Sequence, residues 1–143
     1  MSSVELLETL LKRVEQVNPD LNAVVTLDAD RAMDKAKKAD EALSKGEDLG
    51  PLHGMPMTNK DAYSVEGVVS TGGNPAWKDY VPEKNAEAVQ HLVDAGAIIF
   101  GKTNVPLNSA DIHSYNESYG VTNTTWDHER TPGGSSSGSA PYI

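Results

Sequence analysis

Two stretches of this chain carry residues suited to covalent chemistry. Lys60 stands in Thr58-Asn59-Lys60-Asp61, and seventy-five positions beyond it Ser135 lies in the glycine–serine loop Thr131-Pro132-Gly133-Gly134-Ser135-Ser136-Ser137-Gly138-Ser139. Glycines open backbone conformations closed to other residues and turn amide N–H groups toward a bound oxyanion or phosphate. The same composition near a terminus also describes a flexible tail. A lysine at the carboxyl end of a strand, where open α/β sheets place their ligands, can be desolvated enough to act as a neutral base toward a serine hydroxyl. The alternative is an exposed lysine paired with Asp61 or Glu66. Gly101-Lys102-Thr103-Asn104 lacks the spacing of a phosphate loop and reads as a strand-exit turn. His53, His91, His113 and His128 are too scattered for a metal cluster, and neither a metal nor another cofactor is expected.

The elements that must position these residues are legible from periodicity. Ser2 with Glu5 fits a capping box, and Val4, Leu7, Leu11 and Val14 recur on one helical face, with Asn18-Pro19 ending the first helix. Residues 21–27 read as extended. Asp28 and Asp30 then favour the start of a second helix that reaches about Lys45, with Ala29, Ala32, Ala36, Ala39 and Leu43 as a small-residue stripe. Asp34 with Lys38 and Lys37 with Glu41 decorate its outer face. Past Gly46 and Gly50-Pro51 the pattern changes: 55–60 reads as a short strand, 82–95 as a helix closed by Gly96, and 97–100 as a buried strand. Strand, crossover helix and strand make a parallel α/β unit.

At 143 residues, with 38% hydrophobic and 23% charged content, the chain is expected to form one domain. Residues 1–46 are its helical part and 47–143 a partial α/β core. A net charge of -9 argues against nucleic acid or an anionic membrane as partner. The absence of cysteine excludes disulfides and thiolate zinc sites, and Met1-Ser2-Ser3-Val4-Glu5 lacks the features of a signal peptide, so a cytoplasmic protein is expected. No apolar stretch approaches the roughly 20 residues needed to span a bilayer.

Gly50-Pro51-Leu52-His53-Gly54-Met55-Pro56 is followed by Lys60-Asp61, then by Asp94-Ala95-Gly96 through Gly101-Lys102-Thr103-Asn104, then by Asn123, Trp126-Asp127 and the loop beginning Thr131-Pro132-Gly133-Gly134-Ser135-Ser136. In this order the segments resemble the amidase signature family, which includes bacterial amidases and the A subunit of glutamyl-tRNA amidotransferase. The resemblance covers nearly the whole chain. It implies an amino-terminal portion of that α/β fold, with amino-terminal helices and a partial parallel or mixed sheet. It also implies hydrolysis or transfer of a carboxylic amide nitrogen by a Ser–cis-Ser–Lys triad.

In that triad Lys60 corresponds to the proton-relaying lysine and Ser135 to the bridging serine on a cis peptide, while Gly133, Gly134, Ser136 and Ser137 form the substrate and oxyanion loop. The family's nucleophile belongs to a second glycine–glycine–serine segment farther on, and the eight residues after Ser135 do not repeat it. An inactive or weak chain is therefore expected. Asn59 and Ser137 depart from the family's apolar residue and glycine, and Pro141-Tyr142-Ile143 departs from its small-residue helix, which suggests a true terminus. A small-molecule amide is the expected ligand. A shortened sheet would expose apolar edges, so self-association or a partner chain is expected too. The rival expectation is a non-catalytic binding protein on the same fold, as a homodimer.

Overall fold

The computed structural model describes residues 1–140; the sequence expectation for Pro141-Tyr142-Ile143 lies outside them. Helix α1 spans Ser3–Leu21 and begins with the expected capping box, Ser2 accepting from the Glu5 N–H and Glu5 accepting from the Ser2 N–H. Asp40 of the second helix caps it again, accepting from the N–H groups of Ser3 and Val4 at 2.7 and 3.1 Å. The helix does not end at Asn18-Pro19. Pro19 sits in the last turn and forfeits one intrahelical bond there. The Asn18 side chain accepts from the N–H groups of Ala23 and Val24 and donates to the Val24 carbonyl, and Asn22 closes the turn in the left-handed conformation.

Strand β1 (Val24–Leu27) leads into α2 (Ala29–Ser44). The buried stripe of α2 is Ala32, Ala36, Ala39 and Ala42, whereas Leu43 faces solvent, because a step of three from Ala39 keeps the face that a step of four leaves. Alanines let α1 and α2 pack closely beneath the sheet. Glu41 finds its ion-pair partner in Lys45 at 2.6 Å, one turn on.

Strand β2 (Pro56–Lys60), helix α3 (Glu87–Asp94) and strand β3 (Ile98–Thr103) form the expected parallel unit. α3 is shorter than predicted because 82–86 bond sideways to the loop at 64–67: the Ala86 N–H donates to the Ser64 carbonyl and the Gly67 N–H to the Pro82 carbonyl. The sheet order is β1-β3-β2, with β1 antiparallel to β3. A two-stranded hairpin, β4 (Tyr115–Asn116) with β5 (Gly120–Val121), follows.

One face of the sheet packs on α1 and α2 through Leu7, Val14, Val24, Ala32, Ala36, Ala39, Ile98 and Phe100. The other carries a smaller cluster of Val65, Val68, Val89 and Ile99. β3 is longer than its apolar run, and Gly101, Lys102 and Thr103 belong to the strand rather than to an exit turn. Gly101 permits this, since a Cβ there would lie 2.9 Å from the Thr26 carbonyl of β1. Met57 pairs with Ile99 but Thr58 pairs with Gly101, so Phe100 is an extra residue opposite β2. This bulge resets the alternation of side chains.

Candidate active site

Alternation after the bulge sends Lys60 and its register partner Thr103 to one side of the sheet and Asp61 and Lys102 to the other. On the first side, at the carboxyl end of the two parallel strands, the half-buried Lys60 Nζ donates to the half-buried Ser135 Oγ at 2.7 Å. The sequence placed both residues as candidates, and the fold brings them into contact across 75 positions.

The loop that carries Ser135 is packed rather than free. Ser137 is fully buried, its hydroxyl accepting from the Ser114 N–H at 2.9 Å and donating to the Gly133 carbonyl. Ser139 Oγ lies 3.0 Å from Thr103 Oγ1, which ties the loop to the end of β3. Gly138 touches the Asn104 N–H and the Ala23 carbonyl, leaving no room for a Cβ. A Cβ on Gly134 would come within 2.6 Å of the Ile112 carbonyl. Gly133 adopts φ 86, in the left-handed region that favours glycine, and the peptide between Gly134 and Ser135 is cis. Gly133, Gly134 and Ser136 are exposed. The N–H groups of Gly133, Ser139 and Ala140 are engaged within the loop, by Thr131 Oγ1 and the carbonyls of Ser136 and Ser137. A cavity of about 710 Å³ lies between residues 73–75 and 106–117, with Asp111, the neighbour of Ile112, in its wall.

On the far side of the strand Asp61 does not pair with Lys60. Its carboxylate takes Lys102 Nζ at 2.9 Å, and Thr71 donates to it from its N–H at 3.1 Å and from its hydroxyl at 2.5 Å. Lys102 uses its other two protons on the Tyr63 carbonyl at 2.9 Å and on Ser70 Oγ at 2.8 Å. Both charged side chains are fully buried. Burial pushes the Lys102 ammonium below its ordinary range, and the Asp61 carboxylate pulls it only part of the way back. The sequence alone reads Lys102 as part of a strand-exit turn. The available signal is a lysine only two residues beyond the apolar run 97–100, where a continuing buried strand tolerates a charge only with a partner. Among the described residues no group of three or more His, Asp and Glu side chains is placed to hold a metal, and no helix is long and apolar enough to cross a membrane.

The amidase family model matches residues 5–143. The A subunit of the glutamyl-tRNA(Gln) amidotransferase of Azoarcus sp. (strain BH72) is 43% identical over 100% of this chain and 29% of its own length. Its counterpart from Natranaerobius thermophilus is 39% identical over 99% of this chain and again 29% of its own length. Among solved structures, a bacterial aryl acylamidase of the amidase signature family superposes with a TM-score of 0.93 at 30% identity, covering 100% of this chain and 30% of that one. The peptide amidase PAM, in complex with the competitive inhibitor chymostatin, gives 0.91 at 32% identity, covering 100% and 31%. The chain thus spans about 29% of the length of the curated relatives it matches. With the family model matching residues 5–143 and solved structures of the family superposing over the whole chain, the chain belongs to the amidase signature family.

Proposed function

We propose that this chain carries the lysine and the bridging serine of an amide-hydrolysing or amide-transferring centre whose nucleophilic serine is not among residues 1–143. The observation that supports the reading is the 2.7 Å contact of Lys60 Nζ with Ser135 Oγ at the carboxyl end of the parallel strands. In the full centre the nucleophile's hydroxyl proton passes to Ser135 Oγ as the Ser135 proton passes to the neutral Lys60 amine. The deprotonated nucleophile adds to the amide carbonyl, the C–N bond breaks, and the proton returns through Ser135 to the departing amine. Water, or an acceptor amine, then releases the acyl group by the same relay.

The neighbouring serines are poor stand-ins for the nucleophile. Ser137 is turned into the core and Ser139 is held by Thr103, while Ser136 follows Ser135 on the same loop. The 143-residue chain on its own is therefore expected to show no amide turnover and no adduct with a serine-reactive fluorophosphonate. Grafted in place of the matching segment of the Azoarcus protein, it should support that enzyme's amidotransferase activity. Lys60→Ala or Ser135→Ala in the graft should lower the rate by about a thousandfold or more. A graft that keeps its rate with both substitutions defeats the reading. The cavity beside Ile112 is the place we assign to a small amide substrate.

A non-catalytic binding role on the same fold has its own support in exposed Leu107, Ile112, Tyr115 and Trp126, the last 89% exposed. It predicts a defined oligomer by light scattering, together with unchanged partner binding in Lys60→Ala.

A further inference from the structure

Lys60 and Asp61 are consecutive, yet their side chains serve different assemblies. Lys60 meets Ser135 on the side of α1 and α2, and Asp61 meets Lys102, Thr71 and the loop at 61–71 on the other. The backbone between them is fixed: the Asp61 N–H donates to the Thr103 carbonyl at 3.0 Å, the Tyr63 N–H to the Lys60 carbonyl at 3.0 Å, and the Gly72 N–H to the Asp61 carbonyl at 3.1 Å. All three ammonium protons of Lys102 have acceptors in the same loop.

We propose that Lys102 is a positioning residue for Lys60: by holding the Asp61 carboxylate on the far side of the strand, it keeps the Lys60 amine available for proton exchange with Ser135. The inference rests on the role given to Lys60 above. Asp61 is the carboxylate next to Lys60 in sequence, and an unneutralised carboxylate in a poorly screened interior favours the charged form of the nearest amine. A charged Lys60 has no lone pair to accept the Ser135 proton. Lys102 removes that influence by pairing with Asp61, and the bulge at Phe100 is what turns Lys102 to the required side. Arg13 of α1 is a charged group on this side of the sheet, where it lines a cavity with Thr58 and Ser139. It carries the same sign as Lys60 and cannot replace Asp61 as a competing partner.

Competitive acetylation of the 143-residue chain with isotopically labelled acetic anhydride, from pH 6 to 11, reads the proton affinity of Lys60 without requiring turnover. Exposed Lys84 serves as the internal standard. In Lys102→Met the labelling midpoint of Lys60 should rise by about one pH unit, a roughly tenfold slower reaction below the midpoint. The double variant Asp61→Asn, Lys102→Met should return to the wild-type profile. Where circular dichroism shows Lys102→Met to be unfolded, Lys102→Gln keeps a hydrogen-bond donor without the charge and should give the same upward shift. A midpoint that does not move, or faster labelling from a loosened loop, overturns the proposal. The grafted enzyme separates the two ideas. A graft indifferent to Lys60→Ala defeats the catalytic reading even if the midpoint shifts, and a graft that needs Lys60 with no midpoint shift defeats only the role of Lys102.

Discussion

The two faces of the small sheet are held by different physics. The face toward α1 and α2 is closed by aliphatic and alanine side chains, with Leu7 fully buried at its centre. The opposite face has a smaller apolar cluster and, beyond it, an ion pair with every proton of Lys102 assigned. Apolar burial is non-directional and scales with area, so it brings the layers together while leaving positions adjustable. A buried ion pair adds little net stability but penalises any arrangement that leaves one charge alone, so it fixes positions. Lys60 stands where the two meet, with its side chain on the first face and its neighbour's carboxylate on the second.

That contrast breaks most clearly at the ion pair. Lys102→Met should cost about 3–5 kcal/mol in chemical denaturation, because Asp61 is left charged and buried. The double variant with Asp61→Asn should recover most of it, and an additive double variant would mean the pair is not coupled. On the apolar face Leu7→Ala should cost about 3 kcal/mol through lost contacts and a cavity, and no second substitution of a partner should rescue it. Gly101→Ala probes the strand that both faces share. A Cβ 2.9 Å from the Thr26 carbonyl and 3.1 Å from Val24 Cγ1 forces β1 and β3 apart, at about 1–3 kcal/mol.

Asp40→Asn gives the smallest effect and sharpens the electrostatic side of the comparison. Burial alone would raise the Asp40 carboxyl, but the N–H groups of Ser3 and Val4 outweigh it and hold it below its ordinary 3.8. A carboxylate lowered in the folded state stabilises above its unfolded value and loses that contribution as pH falls through the folded one. The variant should therefore be less stable than wild type by about 1 kcal/mol at neutral pH. The gap should begin to narrow below about pH 3.8 and vanish once the pH is under the lowered folded-state value, and a gap that persists there would assign the effect to packing.

Much of this arrangement was legible in the residues. The capping box, the alanine stripe, the parallel unit and the Lys60 and Ser135 candidates all follow from local pattern and motif order. The parts that were not legible depend on contacts between distant segments. α1 continues through Pro19 because Asn18 reaches the backbone of Ala23 and Val24. α3 starts late because 82–86 bond to 64–67. The place of Lys102 is not legible locally, because a period of two has no room for the extra residue at Phe100 and its partner lies 41 positions away. Asp61 does not pair with Lys60, its sequence neighbour, because side chains of adjacent strand residues point apart.

The turn after α1 carries a consequence for the order in which the molecule assembles. Asn22 Nδ2 donates to the Tyr119 carbonyl, Thr122 Oγ1 donates to the Asn22 carbonyl, and Asn123 Nδ2 donates to the Asp20 carbonyl, across 97 to 103 residues of chain. Contacts within α1, β1 and α2 close loops far shorter than these, and loop-closure entropy must be met before distant contacts contribute. The hairpin of β4 and β5 is therefore expected to dock last on folding and to open first under native conditions. Amide protons at Thr122 and Asn123 should exchange with solvent well before those of Ile98 and Phe100.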